Sequence, residues 1–420
     1  MKLLCISNGH GEDVIALQIL NALHRYAPDL QISALPISGT GRAYSANGIS
    51  LVGPTQALPS GGFLNRDPKQ LARDVRKGLL PLTRQQLQSV KRWATQAHRE
   101  GSILAVGDIV PLLFSRLSKQ PYHFIGTAKS EYWLRDEQGK RPPTTLSDRL
   151  EGWSGSVYLP WERWLMASAR CRSLFVRDAL TAQHLQKLGI PADYAGNPMM
   201  DNLAPTGQLT TALSSLRLLS ALTIALLPGS RPPEAYENWT RIVAAIPSLV
   251  THFPHRSVIL LAAIAPSLSL QVLQSPLQEH FQGQWEKPTS EMPYSTFTYE
   301  NVTLVLVNNA YSDCLHQADI AIATAGTATE QFVGLGKPSI TLPGNGPQFT
   351  PAFAKVQSRM LGPSIQVLTD PTQTGNAISK LLNDPAQLKL IHQNGTHRMG
   401  SPGAGDRIAR KLLEVMNNER

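Results

Sequence analysis

The sequence predicts an α/β protein made of two Rossmann-like, doubly wound domains facing a cleft. Three observations predict it. Short apolar runs alternate with stretches of helical periodicity along the chain, which is the pattern of parallel sheets covered by crossover helices. Several of those runs end in glycine-containing turns. The series breaks once, in a polar stretch with Pro205 and Gly207 that reads as a linker. A length of 420 residues suits two or three domains at roughly 150 residues each. The expected division is residues 1–204, a linker at 205–220, residues 221–395, and a terminal segment at 396–420.

In the first half, residues 3–7 form an apolar run followed by Asn8-Gly9-His10-Gly11-Glu12-Asp13. Val14, Ile15, Leu17, Ile19, Leu20 and Leu23 then recur at near-helical spacing, giving strand, glycine turn, helix. Further strands are expected at 31–35, 102–106, 123–125 and 173–176, with a helix over 178–188. The run 192–195 closes this half at Gly196-Asn197-Pro198. In the second half, strands are expected at 222–227, 258–262, 302–307, 320–323 and 339–342, with a helix following Thr324-Ala325-Gly326-Thr327. Ile408, Leu412, Leu413 and Val415 make an amphipathic terminal helix that can pack on either half.

Composition excludes several classes. With 42% hydrophobic and 16% charged residues, global disorder is excluded. Cys5, Cys171 and Cys314 are odd in number and widely spaced, which fits a reducing compartment and neither a disulfide framework nor a metal cluster. The apolar stretch at residues 3–6 is too short for a signal peptide, and the run 258–265 stops at Pro266, short of the ~20 residues that span a bilayer. The expected location is cytoplasmic, with any membrane contact peripheral. Six of the nine net positive charges lie between Arg66 and Glu100. No nucleic-acid motif accompanies them, so no nucleic-acid partner is expected.

Four turns carry chemistry, each beside a plainer alternative. Gly9 and Gly11 let backbone approach a ligand at a helix N-terminus, with His10 as a candidate base; otherwise they make a turn whose Glu12 and Asp13 complement the helix dipole. Gly107-Asp108 ends a strand in a carboxylate fit for a general base, or for an N-cap. Pro228-Gly229-Ser230-Arg231 can bind phosphate, or form a type II turn with an exposed arginine. Ala325-Gly326-Thr327-Ala328-Thr329-Glu330 offers a helix N-terminus to a diphosphate and Glu330 to a ribose, while Thr327 and Glu330 also match a capping box. Leu71, Val75, Leu79 and Leu82 form a stripe flanked by Arg73, Arg76 and Lys77, interrupted by Pro81. It can lie on an anionic membrane or face the protein's own core. Trp133, Trp153, Trp161 and Trp164 suit an interface or a core.

Taken together and in this order, the motifs resemble the GT-B fold glycosyltransferases, and among them the lipid-A-disaccharide synthase family. Leu226-Leu227-Pro228-Gly229-Ser230-Arg231 with Glu234, the segment from Ala318-Asp319 to Glu330, Tyr194-Ala195-Gly196-Asn197-Pro198, and Gly107-Asp108 carry the likeness. The resemblance implies a UDP-sugar donor in the C-terminal half, held by Gly229, Ser230, Arg231, Gly326, Thr327, Ala328, Thr329, Glu330 and Gln348. It implies an acceptor in the N-terminal half near Gly9, Gly11 and Asp13, with Asp108 as base and His10 as understudy. It implies that the terminal helix returns to the N-terminal half. The implied reaction is inverting transfer of a hexose, with N-acetylglucosamine as the candidate, to a lipid-linked acceptor, with no cofactor and no metal. The first turn departs from the family's Gly-Glu-x-Ser-Gly-Asp and is closer to peptidoglycan N-acetylglucosaminyltransferases and diacylglycerol glycosyltransferases. Ile109-Val110-Pro111 replaces the family's Pro-Asp-Phe, and residues 135–156 read as an insertion, which leaves the acceptor open. A UDP-sugar 2-epimerase and a non-catalytic nucleotide-sugar binder are the alternatives.

Overall fold

The computed structural model describes residues 1–56, 75–143, 149, 152–207, 209, 221–280, 294–308, 310–344 and 349–418. Two compact units form: Met1–Asp201 with Ser401–Arg420, and Asn202–Gly400.

The first unit is built on a six-stranded sheet of β1 (Lys2–Ser7), β2 (Gln31–Pro36), β3 (Ser50–Leu51), β4 (Gly101–Gly107), β5 (Tyr122–Gly126) and β8 (Cys171–Val176). Its order is β3-β2-β1-β4-β5-β8 and every pairing is parallel. A two-residue antiparallel pair, β6 (Arg135–Asp136) and β7 (Gly139–Lys140), stands apart. Helices cover both faces, so the central strands are apolar throughout rather than alternating; all seven residues of β4 are buried.

The helix His10–Tyr26 puts Ile15, Ile19 and Leu23 on one face of this sheet, beside Leu3 and Cys5 of β1. Ile408, Ala409, Leu412 and Met416 of the terminal helix Ala404–Asn418 join the same cluster. Their spacing of three and four residues is why that helix is amphipathic. Asp201 fixes where it begins. One carboxylate oxygen accepts the N–H of Gly403 (2.6 Å) and of Ala404 (3.1 Å), and the other accepts that of Gly405 (2.7 Å). Arg407 Nε donates to Ala195 O at 2.7 Å.

The second unit has seven strands: β9 (Leu222–Leu227), β10 (Val258–Ile264), β11 (Tyr294–Tyr299), β12 (Val302–Asn308), β13 (Ile320–Ala323), β14 (Ser339–Thr341) and β15 (Ile365–Val367), in the order β11-β12-β10-β9-β13-β14-β15. Only β11 is antiparallel to its neighbour. Trp239 is fully buried in the core and donates its indole N–H to Leu273 O at 2.7 Å, which satisfies the one polar atom it brings inside.

Several expectations change. Residues 192–195 form no strand; a single bridge joins Asp193 to Phe175. Pro81 does not interrupt a helix but sits in the first turn of Leu79–Ala97, where its missing N–H leaves no helical bond unmade. The start of the expected linker is seated on the second unit. Thr206 and Gly207 donate their N–H groups to Asp313 (3.1 and 2.7 Å), and Leu209 is buried with Leu261 and Val305. The boundary placed at residue 396 falls inside the helix Pro385–Met399, and the chain passes to the first unit after Gly400.

Asp201→Ala leaves three N–H groups at a helix start without their carboxylate. It is expected to destabilise the protein by roughly 2–3 kcal/mol in urea titration, with Asp201→Asn losing less.

Candidate functional site

In a doubly wound sheet, ligands collect where the strand order reverses, because the loops on either side diverge there and leave a crevice at the carboxyl edge. In the first unit that point lies between β1 and β4, paired in register up to Ser7 and Val106. The two loops that meet are therefore 8–13 and 107–111.

Gly107 makes the meeting possible. Its φ is +134°, and a Cβ there would lie 2.9 Å from Asn8 Cβ and 3.4 Å from Glu12 Cγ. Only glycine combines that backbone with that closeness. Asp108 follows directly and caps the helix Ile109–Ser118: its Oδ1 accepts the N–H of Val110 at 2.8 Å. The cap does not exhaust the carboxyl group. Burial pushes its pKa up from the ordinary carboxylate value to about 6. The Val110 N–H opposes the rise, Glu162 adds to it, and Lys129 and a hydrogen bond from Asn8 hold it back. A carboxylate with a pKa near 6, at a sheet's carboxyl edge, is suited to accept a proton near neutral pH.

Two groups beside Asp108 carried no sequence motif. Glu162 is buried and receives Lys129 Nζ on both oxygens, at 2.7 and 2.5 Å. It also accepts the Leu159 N–H at 2.8 Å, closing the first turn of Pro160–Met166. The Lys129 ammonium lies 5.7 Å from the centre of the Tyr158 ring. Pro160 followed by Glu162 is a legible helix start, but nothing in the sequence joins Glu162 to a lysine 33 residues earlier. Asn8 was also missed, although it stands in the turn that was singled out.

The expected acceptor-side residues sort differently. Gly9 is the N-cap of its helix in extended backbone, with no side chain capping the first turn. Gly11 lies inside that first turn. Asp13 is buried; its Oδ1 accepts the Ser7 hydroxyl at 2.5 Å, and Ser7 accepts that of Tyr44 at 2.7 Å. That network ties β1 to the helices behind it. His10 opens the helix, and its side chain lies outside the described residues.

In the second unit the order reverses between β9 and β13, paired from Ile224 with Ile320 to Leu227 with Ala323. The loops after them, 228–233 and 324–326, lie side by side. Asn238 bridges them, donating to Pro228 O and Thr324 O, each at 3.1 Å. Gly229 takes φ +97°, and Ser230 O accepts the Ser267 hydroxyl at 2.7 Å. Arg231 is half-buried. Glu234 is buried and accepts the Phe349 N–H at 2.6 Å, tying that residue to the start of the helix Glu234–Ala244.

The capping-box alternative fails here. Gly326, not Thr327, is the N-cap of the helix Thr327–Gly334, and no side chain caps it. Glu330 therefore falls one residue too late to close a box, and it is buried. Thr329 uses its hydroxyl on Ala325 O at 2.5 Å, so only its N–H faces the helix start. Gln357 holds the carbonyls of Ala325 and Gly326 at 3.3 and 3.2 Å. What remains is a helix N-terminus that no side chain caps, next to the Pro228–Arg231 turn, which suits an anion. Gln348 and Arg73 lie outside the described residues. Arg76 and Lys77 are exposed, just before the helix Leu79–Ala97.

No family model matches the chain. It is similar to lipid-A-disaccharide synthases: 26% identical over 155 residues to that of Cupriavidus pinatubonensis, 25% over 303 to that of Syntrophus aciditrophicus, and 23% over 342 to lipid-A-disaccharide synthase 1 of Legionella pneumophila. The matches cover 37%, 65% and 80% of this chain. The first spans only 33% of its relative's length, the other two 72% and 73%. Among solved structures it resembles the S. aureus MnaA–UDP complex (TM-score 0.58, 12% identity, 99% and 97% of the two chains). It also resembles the Neisseria meningitidis UDP-GlcNAc 2-epimerase bound to UDP-GlcNAc (0.54, 14%, 100% of both). A third likeness is to the calicheamicin glycosyltransferase CalG4 (0.56, 15%, 99% and 98%). The architecture is that of the GT-B enzymes, with two Rossmann-like units.

Because Asp108's pKa rises on folding, its protonated form is the one the fold favours. Stability linked to it is present at low pH and declines as pH climbs from the unfolded value towards about 6. Asp108→Asn keeps the cap and removes that loss. Its melting temperature relative to the parent is expected to be higher at pH 8 than at pH 4.

Proposed function

We propose that the protein is an inverting glycosyltransferase that moves a hexose from a UDP-sugar to a lipid-linked acceptor. The observation that carries this reading is the uncapped N-terminus of Thr327–Gly334 beside the Pro228–Arg231 turn, where the second sheet reverses order. N-acetylglucosamine is the hexose we favour, in keeping with the UDP-GlcNAc seen in the Neisseria structure.

On this reading Arg231, the backbone of Gly229 and Ser230, and the N–H groups from Thr327 to Thr329 hold the diphosphate. Glu330 takes the ribose hydroxyls and Gln348 the sugar. In the first unit the acceptor lies along Gly9 and Gly11, with Asp13 bracing the turn from beneath. The acceptor oxygen attacks the anomeric carbon as its proton passes to Asp108. The bond from that carbon to the diphosphate oxygen breaks, UDP leaves with the electron pair, and the configuration inverts. His10 is the second candidate base. Positive charge at Arg231 and at the helix start stabilises the departing diphosphate.

No helix among the described residues is long and apolar enough to cross a membrane. On the transferase reading the chain makes a peripheral contact at the inner membrane face, with exposed Arg76 and Lys77, and Arg73 before them in sequence, as one anionic-lipid contact. The rival is a UDP-sugar 2-epimerase, which needs no acceptor and is favoured by structural neighbours of that activity.

Incubating the chain with UDP-sugars, alone and with membrane lipids, and reading products by mass spectrometry separates the two. Transfer only when lipid is present is expected; conversion of UDP-sugar alone supports the epimerase. Asp108→Asn is expected to lower transfer by about 10²–10⁴-fold with unchanged UDP affinity. Arg231→Ala is expected to weaken UDP binding in calorimetry by roughly tenfold or more. Unchanged affinity would refute the donor site.

A further inference from the structure

Three tryptophans of the first unit face outward. Trp153 is 61% exposed, Trp161 51% and Trp164 64%. We propose that these three, with Leu113 and Leu117, seat the first unit on an anionic lipid bilayer. The proposal deepens the transferase reading, on which the presence of a lipid-linked acceptor rests.

Named contacts make the five residues one surface. Trp161 and Trp164 lie on the helix Pro160–Met166, and Arg163 between them donates to Ser154 O at 3.1 Å, which brings in the turn bearing Trp153. The guanidinium of Arg116 lies 5.5 Å from the centre of the Trp164 ring, which joins the helix Ile109–Ser118. On that helix Leu112, Phe114 and Ser115 are buried, while the outward positions are Leu113 (41% exposed) and Leu117 (40%), one turn apart, with half-buried Arg116 beside them. A helix bathed in water on its outer face carries polar residues there. This one is apolar on both sides.

The chemistry selects a bilayer over a protein partner. Tryptophan is the side chain that settles at the headgroup level, its ring in the apolar layer and its N–H in the wet one. Charge points the same way. The helix Ile109–Ser118 contains no acidic residue, and the sole acid of Pro160–Met166, Glu162, is buried against Lys129. Among the described residues, the charged groups beside the tryptophans, Arg116 and Arg163, are cationic, and exposed Lys119 and Arg170 follow the two helices. Anionic headgroups complement such a face. The surface also adjoins the acceptor side: Asp108 caps the leucine-bearing helix, and Glu162 belongs to the tryptophan-bearing one. A lipid-linked acceptor held at this face would have its head near Asp108.

The test is sedimentation of the full chain with phosphatidylglycerol–phosphatidylcholine vesicles. Binding is expected, with a blue shift of tryptophan emission and weakening as salt is raised. The variant Trp153→Ser/Trp161→Ser/Trp164→Ser is expected to lose about tenfold or more in partitioning, with unchanged circular dichroism and melting temperature. The proposal is overturned if that variant partitions like the parent. It is also overturned if the parent ignores vesicles and instead forms a dimer that the variant abolishes. Asp108→Asn is expected to bind vesicles like the parent, so failure of the transfer chemistry and failure of this surface are read separately.

Discussion

In-register parallel pairing of β1 with β4, and of β9 with β13, governs the rest of the structure. Hydrogen bonds between parallel strands bring paired strands to the same edge of the sheet together, so whatever follows Ser7 must meet whatever follows Val106. Likewise the residues after Leu227 must meet those after Ala323. The chain winds outward in both directions from these pairs, so the loops that follow them diverge and leave a crevice. Both candidate sites are consequences of that geometry, and a one-residue change of register would dissolve either.

The acidic side chains show how the fold treats charge. Asp13, Asp201, Glu234 and Asp313 take hydroxyl or backbone N–H donors, and Glu131 takes Ser156, the Val157 N–H and Arg135. Asp201, Glu234 and Asp313 thereby join segments more than a hundred residues apart. Asp108 also accepts an N–H, yet burial outweighs that bond and leaves it close to neutrality. With its pKa pushed up to about 6 by burial, Asp108 can exchange a proton near neutral pH.

Much of the fold was legible because buried parallel strands must be apolar from end to end. That made β1, β4, β9 and β13 readable with nearly their observed bounds. What was not legible was short or polar: β3 is two residues, β15 is Ile-Gln-Val, and β11 carries Ser and Thr among its aromatics. Their strand state comes from a neighbour's edge and leaves little periodicity. Pro81 misled because a proline in mid-pattern and one in a first turn look alike until the N-cap is located. Thr327 misled in the opposite sense, since it matches a capping box but lies one residue inside the helix.

At the sites, the sequence by itself determined the strand-ending turns and the residue types they present: Gly107-Asp108, Gly229-Ser230-Arg231, Gly326 and Glu330. Strand length and glycine placement are local properties, so a local reading reaches them. Only the tertiary structure decided which of these meet, that Asn8, Lys129 and Glu162 stand around Asp108, and that Trp153, Trp161 and Trp164 face water while Trp239 does not. The physical reason is common to all of these. Each depends on burial and on contact between segments tens of residues apart, and neither quantity is carried by the order of residues within one segment.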